Sequence, residues 1–307
     1  MSAVPGMEYV ANAWEAYYTG DVQAATRDIE SVIQTTEKVV HDVPLFWNTT
    51  GQLLIHLYLL AATAARDRMA TSSALRWLAQ AKQAAQVHGD VEVVLATYHH
   101  FFRTSMQAGA YSDALCSLEV ATVYSGETHD LAARGTLYTD AGEVYATLAN
   151  RDHSHEYSTY AENWFDKAED TYTALGKDVS SQYTRFTLTR ILNERASFYA
   201  HQGRKREAET ALHRAGEALA PGNIRHQEDY LLASSGVAIA HGDVVGACEH
   251  LRLSLTLHRT TNSLSNVVYM RRDLEHLKRM EPGNSAVQMI EDTIRIQSRE
   301  GEEQSRS

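Results

Sequence analysis

"GRKREAETALHRAGEALAPGN", Gly203 to Asn223, is the stretch whose reading decides the fold. A glycine is followed five residues later by Ala208, then by Leu212 and Ala215, and the stretch closes on Pro221-Gly222. The same order returns as Gly109, Ala114, Leu118 and Ala121, as Gly20, Ala25, Ile29 and Val32, and as Gly242, Ala247, Leu251 and Ser254. Two further copies keep the pattern without the glycine: Ala74, Leu78, Ala81 and Ala161, Phe165, Ala168. Steps of four and then three residues keep one face of a helix in register. A small first residue lets another helix approach closely, and a glycine just before it ends the preceding helix in a left-handed conformation that other residues adopt poorly.

This pattern is similar to the second helix of the tetratricopeptide (TPR) motif, a family that the chain resembles over most of its length. The first halves are weaker but present: Tyr138, Gly142 and Tyr145 fit, as do Leu192, Ala196 and Tyr199. Tyr98 fits upstream of Gly109, with Phe102 where a small residue is expected. The key alanines Ala25, Ala74, Ala114, Ala161, Ala208 and Ala247 are separated by 49, 40, 47, 47 and 39 residues. TPR units repeat at about 34 residues and HEAT or armadillo units at about 40 to 47, so spacing alone favours HEAT. The specific small-residue pattern favours TPR. The excess length is assigned to an inserted loop at "NRDHSHEYS", Asn150 to Ser158, and to lengthened helices and connections such as "HDVPLF" and "YSGETHD". The resemblance implies an all-α, right-handed TPR-like solenoid of about six helical pairs plus a C-terminal capping pair. One domain is expected over residues 8–298, its last helix running from Ser285 to about Gln297, with a disordered polar tail at 299–307.

Composition agrees with a folded helical protein. Hydrophobic residues make up 44% and charged residues 22%, and only four prolines and 17 glycines occur, too few for a turn-rich all-β chain. The net charge of −11 argues against direct nucleic-acid binding, which needs a surplus of Lys and Arg. The N-terminus lacks a secretory signal, and "LLIHLYLLAATAA", Leu53 to Ala65, is too short to span a bilayer. Cys116 and Cys248 lie far apart within helical patterns, so a reduced, cytoplasmic protein without disulfides is expected, with Cys116 as a small buried residue.

Catalytic signatures are absent: the chain has no phosphate-binding glycine loop, G-x-S-x-G, HExxH or CxxC. No catalytic residue, cofactor or metal is therefore assigned. The 15 histidines include His99-His100 and His153 with His155 and Glu156, but they are spread over all repeats.

In TPR solenoids the first helix of each pair lines the concave face, which implies where a ligand would sit. Counting back from each alanine places Trp14 and Tyr17 in the first pair, His99 and Arg103 in the third, and Thr139 and Glu143 in the fourth. Arg190, Asn193 and Ser197 follow in the fifth, and Asn266 and Tyr269 in the cap. Asn193 is singled out, because asparagine is a mediocre helix former and its amide can grip a peptide backbone. The TPR regions of bacterial cytoplasmic regulators of the Rap and RRNPP group share this architecture, here without a DNA-binding domain. The expected function is a non-catalytic regulator or adaptor that binds a peptide, a partner protein or a small ligand, with a homodimer left open. The alternatives are an enzyme using His99, Arg103, Glu143 and Arg190 in a closed groove, and a self-assembling structural protein.

Overall fold

The computed structural model describes residues 6–20, 25–43, 47–88, 90–180 and 185–304. Its helices are α1 (Met7–Thr19), α2 (Ile29–Asp42), α3 (Trp47–Asp67), α4 (Thr71–His88), α5 (Val91–Gln107), α6 (Tyr111–Ser125) and α7 (Leu131–Asp152). They continue as α8 (His155–Leu175), α9 (Leu188–His201), α10 (Lys205–Glu217), α11 (Ile224–Ala240), α12 (Val244–Thr261), α13 (Leu264–Met280) and α14 (Ser285–Gln304). Between α8 and α9 the short strands β1 (Val179–Ser180) and β2 (Arg185–Phe186) form an antiparallel ladder.

The helices pack in adjacent pairs, α3 on α4, α5 on α6, α7 on α8, α9 on α10 and α11 on α12, with α13 and α14 at the end. The chain is an all-α, TPR-like helical repeat. The first helix of each pair is called the A helix below, and its partner the B helix.

The motif positions behave as close packing requires. All six key alanines have no exposed surface. On the A side, a Cβ placed on Gly142 would lie 2.5 Å from Cε1 of the buried Phe165, so only glycine lets α8 seat its ring there. The four motif glycines all have positive φ, from +71° at Gly109 to +105° at Gly20. The second pair has no glycine, and Met69, five residues before Ala74, takes the turn itself with φ 60°.

The fourth pair corrects the expected loop at Asn150–Ser158. α7 runs on to Asp152, His153 turns the chain at φ 50°, and Ser154 caps α8 by accepting a hydrogen bond from the Tyr157 amide. The excess length is helix: α7 has 22 residues and α8 has 21. The last helix likewise extends to Gln304, further than the sequence reading placed it, and residues 305–307 lie outside the described residues. Cys116 is exposed rather than buried, because Ala114, Leu118 and Ala121 point the opposite side of α6 inward.

The chain groups into two compact units, one comprising Met1–Tyr17 and Val22–Thr187, the other Tyr18–Asp21 and Leu188–Ser307. In the first unit the A helices α3, α5 and α7 lie side by side. In the second, α9 packs on α11 and α11 on α13, and residues such as Leu251, Leu255, Met270, Leu274 and Ile290 close the core of the last two pairs.

Candidate functional site

The first unit gathers its polar side chains on the A helices. α5 starts on Asp90, whose carboxylate accepts from the amides of Glu92 and Val93, and α7 starts on Asp130 in the same way. These caps set two parallel helices whose facing residues meet pairwise. His99 Nδ1 lies 2.6 Å from Asp140 Oδ2, and one turn on Arg103 Nη1 donates to Glu143 Oε2 at 2.5 Å. Asp140 has no exposed surface. A carboxylate buried that deeply needs a charge or donor beside it, which His99 supplies.

His100, next in sequence, faces the other way. Thr63 Oγ1 spends its only proton on the Leu59 carbonyl at 2.8 Å, so the imidazole Nδ1 at 3.2 Å must carry the hydrogen and donate to it. The indole of Trp14 stacks on the His100 ring with centroids 6.0 Å apart. On α3, burial lowers the pKa of the Arg66 guanidinium, a shift opposed by its hydrogen bond to the Tyr17 hydroxyl. Ten residues earlier on the same helix, the fully buried His56 is pushed down to about 3 by loss of hydration and is neutral in the folded chain.

Between α5, α6 and α7 lies a small cleft of about 50 Å³. Its walls are apolar, Leu95, Leu118, Ala121 and Leu137 among them, and His99 and Asp140 stand on its lining. Glu92 and Asp130 also line it, and burial together with the charges of Asp130 and Asp90 raises the Glu92 pKa.

Five of the residues singled out from the sequence, Trp14, Tyr17, His99, Arg103 and Glu143, therefore take part in one set of A-helix contacts within the first unit. Thr139 does not: it is buried, and its hydroxyl donates to the Gly135 carbonyl of its own helix. In the second unit Asn193 is 7% exposed, and its Oδ1 has no hydrogen-bond partner among the described residues. Arg190 and Ser197 flank it on α9, both partly exposed. Asn266 is buried near the start of α13, while Tyr269 is at the surface with Arg272 over its ring.

Sequence reasoning missed Asp140, Arg66 and the pairing role of His100. Asp140 was open to inference: a carboxylate three residues before Glu143 shares its helix face. Arg66 was hidden because it ends the apolar run of α3, where no TPR position marks it. Further buried polar groups lie in the second unit, where Glu228 accepts from the Thr261 hydroxyl at 2.6 Å with His258 at 3.4 Å. Burial likewise raises the Asp273 carboxyl, which the Arg272 guanidinium beside it partly offsets.

Among known proteins the likeness is one of fold. The chain superposes on the crystal structure of BtubC (BKLC) from P. vanneervenii with a TM-score of 0.52 and 14% identity, covering 84% of this chain and 92% of that one. A tetratricopeptide repeat protein from Parabacteroides merdae ATCC 43184 aligns over 94% of this chain and 98% of its own, at 13% identity and a TM-score of 0.44. No family model matches the sequence, and no curated protein matches it either. Fold and repeat register together define the class: a TPR-like helical repeat scaffold. Among the described residues, no helix is long and apolar enough to cross a membrane.

Proposed function

We propose that the chain is a non-catalytic binding protein, a cytoplasmic regulator or adaptor whose A helices present the binding face for a peptide or partner segment. One observation carries this reading, the unequal placement of buried polar side chains. The buried side chains of the B helices α4, α6, α8 and α10 are alanine, leucine and phenylalanine, whereas α2 buries Thr36 and α12 buries Ser254, His258 and Thr261. The A helices bury His100, Thr97 and Thr104 on α5, Thr136, Thr139 and Asp140 on α7, and Thr189 and Asn193 on α9. Burying polar groups costs stability unless each is fully bonded, so a purely structural repeat gains nothing from loading the A helices α5, α7 and α9 with them. The threonine hydroxyls bond to backbone carbonyls, so a recognition role falls to a group that keeps an unsatisfied atom. Asn193 fits this role, with a carbonyl oxygen that an incoming N–H would satisfy.

Native mass spectrometry of the chain purified from its own cells tests the reading. A peptide or protein should co-purify with the wild type and be depleted at least tenfold in Asn193→Ala, with the melt unchanged. Equal occupancy in the variant, or no bound species in either, refutes it.

The His99–Asp140 pair favours a second reading. An imidazole oriented by a buried carboxylate beside a cleft is the arrangement of a general base. Turnover of a co-purifying small molecule that is lost in Asp140→Asn would replace the binding reading with an enzymatic one.

A further inference from the structure

The cleft between α5, α6 and α7 changes character along its length. α5 and α7 run in the same direction, since His99 meets Asp140 and, one turn on, Arg103 meets Glu143. At the N-terminal end of the two helices stand Glu92 and Asp130, with the cap Asp90 close to Glu92. The middle is apolar, lined by Leu95 and Ala96 of α5, Ala133 and Leu137 of α7, and Leu118 and Ala121 of α6. The far end holds His99 and Asp140, which satisfy each other.

The negative charge at the first end is uncompensated. Asp90 and Asp130 each use only Oδ1 on the amides of their helices, and among the described residues neither they nor Glu92 has an ion-pair partner. The nearby cations are engaged elsewhere: the Lys82 ammonium lies 5.5 Å over the Tyr98 ring, and Arg134 donates twice to the Thr128 carbonyl. Burial, Asp130 and Asp90 all push the Glu92 carboxyl up, and no cation offsets them. Size narrows the occupant further. One water-sized group needs about 10–15 Å³ of such space, so the 50 Å³ of the cleft takes about three to five heavy atoms. An aromatic side chain is too large, an anion is repelled, and a purely apolar chain leaves the carboxylates as they were. A lysine side chain meets both conditions, because its four-carbon stem buries along apolar surface while its ammonium stays at the wet end.

We propose that this cleft is a lysine pocket, in which a partner segment lays one side chain along Leu95, Leu118 and Leu137 with its ammonium at Glu92 and Asp130. The inference rests on the binding reading above and adds the side chain that anchors the partner and the place where it is held. The net charge of −11 assists, since it draws a basic segment toward the chain before contact.

The test titrates the full-length chain with N-acetyl-lysine methylamide and follows its leucine methyl resonances by NMR. Those of Leu95, Leu118 and Leu137 should shift, while those of Leu251, Leu255 and Leu274 in the second unit stay in place. N-acetyl-norleucine methylamide keeps the stem and lacks the ammonium, and it should bind about threefold more weakly or worse, the scale that exposed ion pairs allow. Glu92→Gln, a change at an exposed position, should weaken the lysine probe by a similar factor and leave the norleucine probe unaffected. Equal binding of the two probes, shifts that miss the cleft, or no shift at all overturns the proposal. If Glu92→Gln disturbs the fold, the comparison of the two probes on wild type decides alone. Failure here leaves the co-purification result at Asn193 untouched, so the two readings fail separately.

Discussion

Gly142→Ala is the sharpest probe of the packing between the paired helices. The new Cβ would sit 2.5, 2.6 and 2.9 Å from Cε1, Cδ1 and Cζ of Phe165. The ring has no exposed surface, and Ala161 and Ala168 on either side of it have none either, so it has nowhere to retreat. Overpacking of this kind costs about 1–3 kcal/mol. The gain from replacing a mid-helix glycine by alanine returns about 0.8–1 kcal/mol. The net effect is a loss of about 0–2 kcal/mol. In a Phe165→Leu background the clash is relieved, the propensity gain is expressed, and Gly142→Ala becomes neutral or stabilising. The coupling between the two sites should be about 1–3 kcal/mol. All four tryptophans, Trp14, Trp47, Trp77 and Trp164, belong to the first unit, so urea unfolding followed by tryptophan fluorescence reports on that unit alone. Refutation would be a Gly142→Ala effect that is stabilising in the wild-type background, or the same within about 0.3 kcal/mol in both.

Met69→Gly should raise urea stability by about 1 kcal/mol by releasing a left-handed methionine, even though it removes the Gln107 contact; a lower midpoint would contradict the turn register. His56 should make the first unit acid-sensitive. Its folded pKa is depressed to about 3, so only the unfolded chain takes up the proton as pH falls below about 6.5, and stability drops by about 2 kcal/mol between pH 7 and pH 5. His56→Leu should flatten that slope in urea titrations read at each pH, and an unchanged slope would assign the effect elsewhere. Asn193→Ala should melt at or slightly above wild type, since it removes a buried acceptor without a partner; a drop of several degrees in the melt would mean that the amide has a structural bond.

The fold was legible because its determinants are small residues at fixed intervals. Ala208 and its five counterparts define the packed face of each B helix, and counting back from them located His99, Arg103 and Glu143 on theirs. What was not legible depends on contacts between residues far apart in sequence. The inserted loop was inferred because polarity around His153 looks like a loop in one dimension. A left-handed histidine followed by a serine cap turns the chain in two residues instead. Trp14 and Tyr17 were read as groove residues, and that both are buried, Trp14 stacked on His100 and Tyr17 bonded to Arg66, depends on contacts between helices far apart in sequence. Asp140 and Arg66 acquire their roles only when α5 is brought against α7 and α1 against α3, and no periodicity within a single helix encodes that.

The central claim is that the A helices form the recognition face. Hydrogen exchange on the chain purified from its own cells, before and after the co-purifying species is stripped away, tests it directly. The account predicts that stripping lowers protection on α5, α7 and α9 and leaves α4, α6, α8 and α10 unchanged. Loss of protection confined to those B helices would contradict it.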